Sequence, residues 1–141
     1  MRRLTTALLL MLVAQFLFGM AVNLFVHIPG NHPGAHPAEY FSGVERSVRW
    51  ALVDASPWLQ LHAAFGLVLS AVALVALIVA VAGRRRGWIL SSIFGFIGIA
   101  GAGFNGGSFL NYNEDVSSML MASGMALAMV AYVLGLGASS R

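Results

Sequence analysis

Apolar residues fill this chain in four long blocks separated by short polar stretches. The first block runs from Leu4 to about Ile28, interrupted only by Thr5, Thr6, Gln15, Gly19 and Asn23. The second follows Asp54-Ala-Ser-Pro57 and continues from Leu59 to Ala82, ending at Gly83. Asp54 or Ser56 suits its N-cap, and Pro57 suits its first turn. The third runs from Trp88 to about Phe104, and the fourth from about Val116 to Leu136. About 20 apolar residues at roughly 1.5 Å each span a hydrocarbon core. None of the blocks has a broad polar face, as expected of helices that touch lipid on one side and protein on the other. The pattern predicts an all-α integral membrane protein over 1–141, a single domain with four transmembrane helices in an antiparallel bundle. The spans are about 4–28, 57–82, 88–105 and 116–137. A cleaved leader is the competing reading of the first block, because Arg2 and Arg3 precede it. Its apolar region is too long and lacks a small-x-small cleavage site, so a retained anchor is expected.

The linker 29–56 contains a different pattern. Tyr40, Phe41, Val44, Val48, Ala51 and Leu52 recur at spacings of three and four, with Glu45, Arg46 and Arg49 between them. This predicts a short amphipathic helix over about 38–53, lying on the membrane surface or capping the bundle. Trp50 and Trp58 fit one interfacial belt and Trp88 the other.

Composition agrees with lipid exposure. Of 141 residues, 59% are hydrophobic and 9% charged, against about 25% charged in soluble domains. There is no Cys, which excludes disulfides, zinc-thiolate sites and iron-sulfur clusters. The net charge of +3 comes from short arginine clusters beside apolar spans and does not indicate nucleic-acid binding. Arg2, Arg3, Arg84, Arg85, Arg86 and Arg141 all fall on one side of a four-span chain. Arg46 and Arg49 fall on the other, with all five acids. The arginine-rich side is expected to be cytoplasmic, with both termini there, in a plasma (inner) membrane.

Glycine marks the third span. Gly95, Gly98, Gly101 and Gly103, with Gly106 and Gly107 beyond them, remove side chains from its outer half. Packing against neighbouring helices or a second subunit is the expected use, and a lined cavity the alternative. Gly106 to Asp115 reads as a turn, with Asp115 capping the fourth helix. The similar ends G-M-A-V-N (19–23) and G-A-G-F-N (101–105) suggest two copied hairpins, which would place Asn23 and Asn105 at equal depth.

Polar groups at membrane depth usually face the protein interior. Gln15, Asn23, His27, His62 and Asn105 are the costly ones here, and four of the five lie in the outer half. The expected ligand-binding set is His62, Asn23, Asn105 and His27 under the outer loops, rimmed by Asn111, Asn113, Glu114 and Asp115. Plain interhelical hydrogen bonding is the alternative, at about 0.6 kcal/mol per bond. His27 and His62 form the one pair placed to ligate a b-type haem. A metal such as copper or zinc would use His32 and His36, although Pro33 and Pro37 disfavour a shared helical face. The stripe Met121, Met125, Met129, with Met119 nearby, fits packing first and copper(I) second.

The segment F-N-G-G-S-F-L-N-Y (104–112), followed by S-S-M-L-M-A, resembles a feature of small four-span bacterial membrane proteins. The resemblance covers the last third of the chain and implies no activity. Two functions remain open. One is a non-enzymatic binding or transport component, or an accessory subunit, with a polar outer pocket; it would be a homo-oligomer or part of a larger membrane complex. The other is a redox protein with one haem or a copper site.

Overall fold

The computed structural model describes residues 1–138; Arg141, one of the six arginines that set the expected orientation, lies outside them. The described residues form five helices and no strand: α1 (Arg2–Phe25), α2 (Tyr40–Val53), α3 (Pro57–Ala82), α4 (Arg86–Tyr112) and α5 (Asp115–Ala138). Four of them, α1, α3, α4 and α5, are long and apolar enough to cross a membrane.

These four form a ring. α1 packs on α3 and α5, α4 packs on the same two helices, and α2 sits across the ends of α3 and α4. Contacts between α4 and α5 run in opposite directions: Gly95 meets Tyr132, Gly98 meets Gly124 and Ala128, and Gly106 meets Met121. The interior combines small residues with a few large ones, Leu8, Leu12, Leu69, Ile99 and Tyr132. Ala73, Ala76 and Ala80 of α3, Ala128 of α5, and Leu8 and Leu12 of α1 are essentially inaccessible. Other large apolar side chains point outward, with Leu10, Leu24 and Leu134 about two-thirds exposed. Small-inside, large-outside suits helices that meet lipid, because close backbone approach replaces a water-driven core.

Helix ends follow local chemistry. Ser56 caps α3 by accepting the Leu59 N–H, with Pro57 in the first turn as expected. Glu39 caps α2, its carboxylate accepting N–H bonds from Phe41 (2.9 Å) and Ser42 (2.7 Å). These two bonds, Ser42's the stronger, hold the fully exposed Glu39 carboxyl below its ordinary value.

Two span boundaries differ from expectation. α1 ends at Phe25, not Ile28, because Val26 turns extended (φ −116°, ψ 121°) on the approach to Pro29. His27 therefore leaves the helix. α4 continues through the expected turn to Tyr112 and ends at Asn113 in the left-handed conformation (φ 54°). Gly106 and Gly107 do not break it, because the side chain missing at Gly107 makes room for Val44 of α2. Asp115 lies inside the first turn of α5, where its charge complements the helix dipole.

Candidate functional site

The polar residues of the arginine-poor end divide into two separate arrangements. The first is a cap in which Asn111, near the end of α4, is the hub. Its Oδ1 accepts the Ser47 hydroxyl at 2.9 Å, its Nδ2–H donates to the Tyr40 carbonyl at 3.2 Å, and its own carbonyl accepts the His36 N–H at 2.8 Å. The side chain is 1% exposed. Tyr40 and Ser108 share a further hydroxyl–hydroxyl bond of 2.7 Å. The loop before α2 closes over this hub by a turn at Gly34. Its φ of +97° and the Ser47 side chain in its Cβ position both demand glycine.

His32 belongs to the cap. It is buried and lies flat against Trp50. Its Nδ1 faces the Pro33 carbonyl at 3.0 Å and its Nε2 faces the Leu110 carbonyl at 2.9 Å. Both ring nitrogens thus face backbone carbonyls. Neither ring nitrogen is left with a lone pair directed at a metal. His36 is exposed with φ +48°, and it joins the cap through its backbone alone. Among the described residues no group of three His, Asp or Glu is placed to hold a metal ion.

The second arrangement lies on the α1–α3 seam and carries the same pattern on both helices. α1 reads Q-F-L-F-G (15–19) and α3 reads H-A-A-F-G (62–66). Because the two helices run in opposite directions here, each polar residue lies over the other helix's glycine. A Cβ on Gly66 would be 3.0 Å from Gln15 Nε2, and one on Gly19 would be 3.2 Å from His62 Cε1. Between these crossings Phe18 and Phe65 meet edge to face, centroids 5.3 Å apart. The Gln15 amide donates to the His62 carbonyl at 3.2 Å and to the ring, 3.2 Å from Nδ1 and 3.4 Å from Nε2. An amide N–H can only donate, so one ring nitrogen accepts and the other carries the proton of the neutral imidazole. Gln15 Oε1 is buried and has no hydrogen-bond partner among the described residues.

No side-chain hydrogen bond joins the expected ligand-binding residues to one another. His62 pairs with Gln15. Asn23 and His27 are exposed, and no hydrogen bond or ring contact joins His27 to His62. Asn105 donates to the Gly101 carbonyl of its own helix at 2.8 Å, an environment unlike that of exposed Asn23. Asn111 is committed to the cap, and Asp115 is exposed at the start of α5. Of the four packing glycines, Gly95 accepts the ring of Tyr132 and Gly98 lies against Gly124. Gly101 and Gly103 have open space where a side chain would be. Sequence reasoning missed the pairing of Gln15 with His62, although the repeated polar-x-x-Phe-Gly pattern was there to be read. The chain matches no protein-family model, no curated protein and no solved structure.

Proposed function

We propose that the chain is a non-enzymatic, multi-pass protein of the plasma membrane, acting as a binding or accessory component. It is an antiparallel four-helix bundle with both termini cytoplasmic and α2 capping the outer end. Four helices of sufficient length and apolarity support the membrane reading, and the one-sided arginines support the orientation. Gly101 and Gly103 leave a strip of α4 without side chains, where a second copy or a larger partner would pack.

The binding site is the Gln15–His62 seam. One observation carries this: the buried Gln15 Oε1 has no hydrogen-bond partner among the described residues. An unpaired acceptor in such a place costs about 1–3 kcal/mol, so a form in which a donor reaches it is favoured by that amount. Beside it the neutral His62 ring carries one N–H, which a shift of the Gln15 amide would free for a ligand. An acceptor next to a donor suits a lipid-soluble molecule with a hydroxyl head, which donates to Gln15 and accepts from His62. Gly19 and Gly66 keep the seam slim enough to admit a flat head group once α1 and α3 part slightly.

Titration of the full-length protein in nanodiscs with an alkyl hydroquinone tests this, alongside Gln15→Leu and His62→Ala. Saturable binding that both variants lose while keeping their helix content supports the site. Equal binding by all three proteins, or no binding by the unaltered one, overturns it.

A further inference from the structure

Five helices begin in this structure, and their starts are treated in two ways. At the arginine-poor end Glu39 caps α2, Ser56 caps α3, and Asp115 sits in the first turn of α5. At the opposite end α1 and α4 begin with no side-chain cap and no acid in the first turn. Their first residues are arginines instead: Arg2 and Arg3 on α1, and Arg86 on α4 following Arg85. A cation at a helix N-terminus opposes the positive end of the dipole, and four free N–H groups remain there. The positive-inside rule accounts for arginine on this side. It does not account for two uncapped starts facing one cleft with no Asp or Glu beside them among the described residues.

Between them lies a cleft of about 350 Å³, lined by Met1 and Arg2, by Val79, Ala80 and Gly83 of α3, and by Arg85 and Trp88. Its lining combines apolar side chains with two arginines. Trp88 is 5% exposed, and its indole N–H makes no hydrogen bond among the described residues. The Cζ3 corner of its ring lies toward Gly135 of α5, which turns the N–H edge away from that helix. Arg2 and Arg85 have no ion-pair partner among the described residues, since all five acids lie at or beyond Glu39 on the other end of the bundle.

We propose that this cleft binds a phosphate group. The phosphodiester of an anionic membrane lipid is the source that fits a lining of apolar side chains and two arginines, and free inorganic phosphate is the other. Arg2 and Arg85 grip the phosphate oxygens, the α1 and α4 N-termini add their dipoles, and Trp88 donates its indole N–H. The site rests on the chain lying in a bilayer, and is independent of the Gln15–His62 seam.

The test is native mass spectrometry of the full chain from nanodiscs of phosphatidylglycerol mixed with phosphatidylcholine, with and without added inorganic phosphate. Arg2→Gln/Arg85→Gln removes two charges from the cleft. Arg3→Gln/Arg84→Gln removes two charges beside it and serves as the charge-matched control. Retention of phosphatidylglycerol should fall about 10-fold in the first variant and stay near the unaltered level in the second. Trp88→Phe should weaken retention while leaving the fold intact. Loss of the retained lipid on adding inorganic phosphate, with phosphate bound in its place, would support the site and make free phosphate its ligand. Equal loss in both double variants, or no preference for either phosphate source over phosphatidylcholine, would overturn the proposal.

Discussion

The imidazole of His32 lies on the indole of Trp50 with centroids 4.4 Å apart and planes 12° apart. The stack joins the loop after α1 to α2, and the His32–Leu110 bond joins that loop to α4. Loop, α2 and the end of α4 are thus one unit. His32→Ala should cost about 2 kcal/mol, from the lost ring contact with Trp50 and the buried Leu110 carbonyl left without its partner. The readout is hydrogen exchange. Amides of 30–37 should exchange faster in the variant while α3 and α5 stay protected. Unchanged exchange in the loop would separate the stack from cap closure.

The close approach of α4 and α5 centres on Gly98 and Gly124. A Cβ on either would be 2.5 Å from the other's carbonyl oxygen. Gly98→Ala should therefore force the helices apart, at about 2–3 kcal/mol. Gly101→Ala, three residues on, meets open space within the chain and should leave the stability of the single bundle unchanged within about 0.5 kcal/mol. Unfolding in mild denaturant, compared between the two variants, checks the contrast.

Tyr132 fills the space over Gly95, yet its buried hydroxyl has no hydrogen-bond partner among the described residues. Tyr132→Phe keeps the ring and removes the unpaired group. The variant should be more stable than the unaltered protein, by about 1 kcal/mol. A loss of stability would mean that the hydroxyl has a partner in the membrane.

The Glu39 cap supplies a pH dependence with a definite sign. Its carboxyl is held below the ordinary value in the folded chain by the Ser42 and Phe41 N–H groups. Its contribution to α2 is therefore complete above the ordinary carboxylate pKa, and is lost as pH falls through the lowered folded value. Exchange at the Ser42 and Phe41 amides, corrected for intrinsic rates, should rise over that acid window. Glu39→Gln should flatten the response.

Some of this was legible in the sequence and some was not, for identifiable reasons. The bounds of α3 came from Ser56, Pro57 and Gly83, because caps and breakers act locally. The helix in the linker was visible because its polar and apolar positions separate cleanly. The facing of Asn23, Asn105 and Gly101 was not visible, because the long helices are apolar all round and no moment fixes their rotation. Extension of α4 past Gly106 depends on Val44, which comes from another element. His32 looked like a metal ligand until the carbonyls of Pro33 and Leu110, which carry no sequence signal, were in place.

The central claim is that Gln15 and His62 form an incomplete polar site that a hydroxyl head group completes. The most direct measurement is the ring ¹⁵N spectrum of histidine-labelled protein in nanodiscs, with His62 assigned by substitution, before and after saturation with an alkyl hydroquinone. The account predicts one protonated and one hydrogen-bond-accepting nitrogen before addition, and a shift of the His62 signals after it that Gln15→Leu abolishes. His62 signals that stay fixed at saturation, or that shift equally in Gln15→Leu, would contradict it.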